Sequence, residues 1–326
     1  MKKRLVFFGT PSIAVEVLKG IDKNNFEIVG IVTQTDKKVG RKQEVTPPPV
    51  KQFGIENSIC VFQPEKVSSI IKELTELKPD IILTCAYGKL LPKSVLDLVS
   101  GMAINVHASL LPKYRGSAPI QYAIMNGEKQ TGISLMQMVQ EMDAGDFYVQ
   151  EKVEITENDN FESLYNKLAI LGGKMVGQYL NDIYNGKIKP NVQDLSKVTL
   201  APKILNNMEK INFNKSSQEV LNFIKALSPS PGAYAILNGE RYKFYNARLL
   251  HENEFFAMTL NIKRSGEVIS MDKEGFVVWT SRGMIKILEV QKQGKNRMSA
   301  GNYFSNQQRE VTTGNVFNED EAKFDF

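Results

Sequence analysis

The chain has 326 residues, 42% hydrophobic and 24% charged, an ordinary globular make-up that is too long for one typical core, so two domains are expected. Lys and Arg number 41 against 36 Asp and Glu, a net charge of +5 that fits an anionic partner and a plain solvated surface alike. Two cysteines, Cys60 and Cys85, lie far apart and outside any CxxC spacing, which argues against a disulfide framework or a cysteine-rich zinc site.

At the start of the chain, Met1-Lys2-Lys3-Arg4 precedes only four apolar residues, Leu5–Phe8, too few for a secretion signal. No apolar run approaches the ~20 residues that span a bilayer, so a cytoplasmic protein with no membrane association is expected. Leu5–Phe8 reads as a strand closed by Gly9-Thr10-Pro11, and Ser12–Gly20 has helical spacing at Ile13, Val17 and Leu18. Strands are expected at Glu27–Thr33, Asp80–Cys85, Met102–His107, Gly132–Met138 and Phe147–Val153. Helices are expected at Pro92–Val99, near Pro119–Met125, and over Phe161–Tyr184, which ends before Asn185-Gly186. Cys85 lies in the apolar run Pro79–Ala86 and reads as a core residue rather than a nucleophile. Continuous apolar strands alternating with helices imply an α/β domain whose mostly parallel sheet is covered on both faces.

After Gly186 the texture changes. Lys187–Pro202 is polar, with proline near both ends, and reads as a linker. Ser216–Leu227 reads as a helix. Strands follow at Ala233–Leu237, Arg241–Leu249, Glu267–Met271, Phe276–Thr280 and Met284–Val290, with turns at Asn238-Gly239, Lys273–Gly275 and Arg282-Gly283. Such short strands predict a small OB-like β-barrel. The expected division is residues 1–186, a linker over 187–205, and a second domain over 206–326.

The most informative stretch is Ile104-Asn105-Val106-His107-Ala108-Ser109-Leu110-Leu111-Pro112. On a strand, Asn105 and His107 share one face, at the carboxyl end where open α/β sheets hold ligands. A structural histidine in a strand-end turn fits these nine residues equally. A second segment, Thr131–Met138, runs into Met142-Asp143-Ala144-Gly145-Asp146, which could bring a carboxylate to the same edge or be an ordinary acidic turn.

Taken together and in this order, Asn105-x-His107, Ser109-Leu110-Leu111-Pro112, Arg115-Gly116 and Asp143-x-Gly145 resemble the signature of the folate-dependent formyltransferases. The resemblance implies a Rossmann-like formyltransferase domain, Asn105, His107 and Asp143 as the catalytic triad, and Ser109, Leu110, Leu111 and Pro112 as the folate-binding loop. The implied donor is 10-formyltetrahydrofolate, with neither metal nor a covalent enzyme intermediate. The chemistry suits these side chains. Attack of an amine on a formyl carbon creates an oxyanion to which Asn105 can donate, while a cationic His107 stabilises it and protonates the departing nitrogen. Asp143 would keep His107 charged and anchor a water that relays the amine proton. Two departures from the family pattern are Ala108, where many relatives have Gly, and Val139–Met142 in place of an Asp-x-Gly-Leu approach to Asp143.

The triad leaves the acceptor open. Asp36–Lys51 is a basic, proline-stiffened loop with Lys37, Lys38, Arg41 and Lys42 within six residues. Alone it could be a solvated charged loop, but it is similar to the inserted loop of the family branch that formylates initiator methionyl-tRNA. Leu200–Lys203, Ser230–Tyr234 and Lys295–Ala300 resemble landmarks of that branch's C-terminal domain. The resemblance therefore implies methionyl-initiator tRNA as partner, Lys37, Lys38, Arg41 and Lys42 as its contacts, and a monomer. The alternative acceptor is a sugar nucleotide.

Overall fold

The computed structural model describes residues 1–40, 43–250, 264–305 and 311–319. The chain forms two compact units, one of Met1–Pro119, Gln130–Glu154 and Leu164–Lys203, the other of Ile120–Lys129, Ile155–Ser163 and Ile204–Phe326.

The first unit carries β1 (Lys3–Gly9), β2 (Phe26–Val32), β3 (Lys37–Val39), β4 (Glu44–Thr46), β5 (Val61–Phe62), β6 (Ile81–Cys85), β7 (Ala103–His107), β8 (Gln130–Gln137) and β9 (Phe147–Glu154). Its main sheet has the order β5-β2-β1-β6-β7-β8-β9. Pairing is parallel from β5 to β7 and antiparallel at β7–β8 and β8–β9. The mostly parallel α/β sheet is thus present. The chain leaves β1 on the β2 side and returns on the β6 side, so the carboxyl ends of β1 and β6 flank the switch point where such sheets hold ligands.

Burial on both faces explains the unbroken apolar strands. On β1, Val6 and Phe8 pack with Val32, Leu74, Ile82 and Val95, while the equally buried Leu5 and Phe7 alternate to the other face. The helices here include α1 (Ser12–Gly20), α2 (Pro49–Glu56), α3 (Ile71–Glu76) and α4 (Lys93–Leu96). After α5 (Pro119–Met125) comes the 24-residue α6 (Phe161–Tyr184). Helix α6 presses on α1 through glycine: a Cβ on Gly173 would lie 2.5 Å from the Glu16 carbonyl oxygen, so only a bare backbone fits. A Cβ on Gly172 would touch Val17 and Val106 at 3.3 Å, which places this part of α6 over β7.

Three expectations need correction. The Asp36–Lys51 segment is not all loop, because β3 and β4 form a hairpin pairing Lys37 with Thr46 and Lys38 with Val45, and α2 starts at Pro49. Residues 187–203 are not a free linker but belong to the first unit, held by backbone bridges of Asn191 to Phe147 and Leu200 to Arg115. Residues 120–129 and 155–163, expected in the first domain, fall in the second unit. Met125 packs on its core, and Lys225 donates to the Glu157 carbonyl oxygen at 2.5 Å.

In the second unit, β10 (Ala233–Leu237), β11 (Glu240–Leu249), β12 (Val268–Met271), β13 (Phe276–Trp279) and β14 (Met284–Lys292) pair antiparallel in the order β10-β11-β14-β13-β12. The two-residue β15 (Met298–Ser299) also pairs with β14. Helix α7 (Ser217–Leu227) buries Val220, Leu221, Ile224 and Leu227 in the same core as Phe244, Phe276 and Phe317. These rings meet edge-on or stacked, with centroids 5.4–5.9 Å apart. Among the described residues no helix is long and apolar enough to cross a membrane.

Candidate active site

Strand β7 carries Asn105 and His107 to the carboxyl edge of the parallel sheet, two residues apart and so on one face. Asn105 is the register partner of Thr84 on β6. The Thr84 hydroxyl, 3% exposed, donates to Asn105 Oδ1 at 2.6 Å. In this arrangement Oδ1 faces the sheet, and Nδ2 is a donor with no acceptor among the described residues.

His107 is buried, and Nε2 lies 3.0 Å from the carbonyl oxygen of Tyr114. A carbonyl only accepts, so Nε2 carries a proton. Its other nitrogen, Nδ1, lies 3.6 Å from Asp143 Oδ1, within ion-pair range but longer than a hydrogen bond. Both ring nitrogens therefore face oxygen acceptors.

Asp143 reaches this position along a route the Val139–Met142 departure left open. Its backbone is left-handed, with φ +51°, a conformation Asp tolerates better than most residues. Its Oδ2 accepts from the backbone N–H of Gly116 at 2.8 Å, which leaves Oδ1 toward the imidazole. Gly116 has φ +126°, and a Cβ there would lie 2.5 Å from the Ala201 carbonyl oxygen, so glycine is required.

The Ser109–Pro112 segment is fixed from beneath. The buried Ser109 hydroxyl donates to the Lys113 carbonyl, and the Ser109 carbonyl accepts from the Ser134 hydroxyl. The Leu111 N–H donates to Ser134 Oγ, and Gln150 donates to the Leu111 carbonyl. Leu111–Pro112 is cis. With Ser109 and Leu111 turned inward, the segment offers a ligand mainly its backbone, Leu110 and Pro112. Of the basic residues, Lys37 and Lys38 are exposed on β3, and Arg41 and Lys42 lie outside the described residues. Cys85, at the end of β6, is fully enclosed, and burial pushes its thiol up to about 12, which excludes it as a nucleophile at neutral pH.

Residues 2–180 match the family described as formyl transferase, and residues 203–308 match the formyl transferase C-terminal domain. A methionyl-tRNA formyltransferase from Mycoplasma capricolum is 41% identical over 317 residues, covering 97% of this chain and 99% of the relative. One from Streptococcus pyogenes is 42% identical over 316 residues, covering 96% and 98%. The chain belongs to the methionyl-tRNA formyltransferase family.

Solved structures of lower identity share the fold. An N-formyltransferase from Helicobacter canadensis, in complex with folinic acid and dTDP-3-aminofucose, aligns with a TM-score of 0.65 at 23% identity, over 90% of this chain and 100% of the other. HypX from Aquifex aeolicus, in complex with tetrahydrofolic acid, aligns with a TM-score of 0.60 at 18% identity over 93% of this chain, which spans about half, 47%, of that protein.

Some of the residues packed around Asn105, His107 and Asp143 were not legible in the sequence. Thr84 carried no signal because strand register is invisible in the sequence. Tyr114, whose backbone is left-handed at φ +61°, aims its carbonyl at His107. Arg115-Gly116 was legible as part of the signature, but its use to hold Asp143 was not.

Proposed function

We propose that this chain transfers a formyl group from 10-formyltetrahydrofolate to the α-amino group of methionyl-initiator tRNA. The observation that carries the acceptor is the match to relatives named methionyl-tRNA formyltransferase at 41–42% identity over nearly the whole length of both chains, second unit included.

The donor set fits a folate formyl carrier, which supplies a carbonyl carbon bound to a nitrogen leaving group. Such a transfer needs a hydrogen-bond donor for the oxygen that gains charge, an acid for the nitrogen and an acceptor for the amine proton. These are the capacities that Asn105, His107 and Asp143 bring to one edge of the sheet. Ser109–Pro112, through its backbone and Leu110, is the segment that would line the carrier.

Asn105 Nδ2 donates to the developing oxyanion; losing one such donor costs ~10²–10³ in turnover. The imidazolium of His107 adds positive charge beside that oxygen and delivers its proton to the leaving nitrogen. Asp143 stabilises the imidazolium and takes up, through water, the proton that the attacking amine must shed. A free α-amino group titrates near ~8, so much of it is protonated at neutral pH and a nearby carboxylate helps the neutral form to react. Lys37, Lys38, Arg41 and Lys42 would meet phosphates of the acceptor RNA.

The deciding experiment supplies 10-formyltetrahydrofolate with charged initiator tRNA in one reaction and with a dTDP-amino sugar in another. Formylated methionyl-tRNA is the expected product. Formylation of the sugar alone would reject the assignment.

A further inference from the structure

Gln193 lies in the segment that composition marks as a linker, yet its side chain is 4% exposed and every hydrogen-bonding position of its amide is used. Oε1 accepts from Arg115 Nε at 3.1 Å and from Arg115 Nη2 at 2.9 Å. Nε2 donates to the carbonyl oxygens of Asp143 at 2.9 Å and Gly145 at 2.6 Å. One amide thus clamps both sides of the left-handed turn that presents Asp143, and ties that turn to Arg115, itself 7% exposed and adjacent to the Gly116 N–H that binds Asp143 Oδ2.

The flanking residues are knitted to the same place. Tyr114 N–H donates to Thr199 Oγ1 at 2.9 Å, and Arg115 N–H to the Thr199 carbonyl at 2.9 Å. Ala201 N–H donates to the Arg115 carbonyl at 2.7 Å. The segment after α6 therefore braces the two turns that aim at His107, one bearing Asp143 and the other the Tyr114 carbonyl.

We propose that Gln193 is a positioning residue for formyl transfer, holding Asp143 against His107 through the backbone of the 143–145 turn. The proposal rests on the reading of Asp143 as the partner of His107. The physical reason is the cost of the turn. A non-glycine residue at φ +51° is held there only by its surroundings, and among the described residues Gln193 is the donor recorded for the Asp143 and Gly145 carbonyls. Without the Gln193 donors the carboxylate would shift, and a misplacement of about 1 Å at a reacting group can cost ~10²-fold in rate.

Two substitutions isolate the donors. Gln193→Met keeps the volume and removes all four hydrogen bonds, whereas Gln193→Glu keeps a partner for Arg115 and removes only the two bonds to the turn. Each is measured alone and with Asp143→Asn, as initial rates with formyl donor and charged tRNA. Both single variants are expected to lower kcat on the order of tenfold or more, with the two KM values changed less than about threefold. In the Asp143→Asn background the same changes should cost less than about twofold, because residues acting through one another are not additive. An equal loss in both backgrounds, or a loss confined to KM, would overturn the positioning role. Asp143→Asn with full turnover would instead remove the reading of Asp143, and Gln193 with it. Should Gln193→Met not fold, Gln193→Glu carries the same comparison.

Discussion

Thr84 and Asn105 sit side by side on β6 and β7, and a single hydroxyl anchors the Asn105 amide. An asparagine amide can turn over, exchanging a donor for an acceptor at nearly equal steric cost. Here the Thr84 hydroxyl anchors the amide with Oδ1 against the sheet, which leaves Nδ2 turned away from it. Thr84→Val preserves shape in a site that is 3% exposed while removing the donor. It is expected to lower kcat by ~10- to 100-fold, short of the loss from deleting Asn105 itself, with KM for the formyl donor little changed. Thr84→Ser restores the hydroxyl and should recover most of that loss. If Thr84→Val turns over at the wild-type rate, the amide is oriented by something else. The same scale explains His107, whose two nitrogens face a carbonyl and a carboxylate contributed by separate turns.

At the scale of elements, the second unit shows how a short polar signal fixes a packed helix. Ser216 accepts from the Glu219 N–H, and the Glu219 carboxylate accepts from the Ser216 N–H and hydroxyl, a capping box that starts α7 where its apolar face begins. The Ser216 side chain and backbone hold the Glu219 carboxyl down to about 2. Ser216→Ala is expected to cost ~1 kcal/mol of stability near neutral pH. Because the folded-state value is depressed, the carboxylate's share is fully present above its ordinary value of ~4.3 and is lost as pH falls toward about 2. Thermal melts of wild type and Ser216→Ala should therefore converge across that window; a constant gap down to pH 2 would mean that the charge plays no part. The helix itself was legible in the sequence, but its capping box came only with the structure. The main strands were legible as short unbroken apolar runs, and the Asn105-x-His107 pair as two polar residues at strand spacing in such a run. What stayed hidden depends on partners distant in sequence. Gln193 meets Arg115 across 78 positions and Gly145 across 48, so its polar neighbourhood read as linker. The β3–β4 hairpin was hidden differently, since its strands have three residues each and Glu44–Thr46 is wholly exposed, leaving no alternation to read.

Across the whole molecule, a net charge of +5 is too small to hold a large polyanion by itself, so the placement of the cations matters more than their number. Many basic side chains already serve acids. Lys286 is almost fully buried between Asp272 and Glu274 at 2.7 Å each, Arg297 is paired with Glu289, and Lys51 with Asp36. Neutralised in place, these cations add little attraction toward an RNA backbone. Lys38 is exposed on the hairpin, and Arg41 follows it in sequence. Phosphate contacts release counterions, so each one lost should flatten the dependence of log affinity on log salt by ~0.7–0.9. Reversing both charges, Lys38→Glu with Arg41→Glu, is expected to raise KM for charged tRNA on the order of tenfold at moderate salt and to lower that slope by ~1–2, with KM for the formyl donor unchanged. Titrating salt separates this from a folding defect, which would weaken use of both substrates without altering the slope. If the donor KM rises while the tRNA slope stays the same, the hairpin serves the folate side of the reaction and the acceptor is held elsewhere.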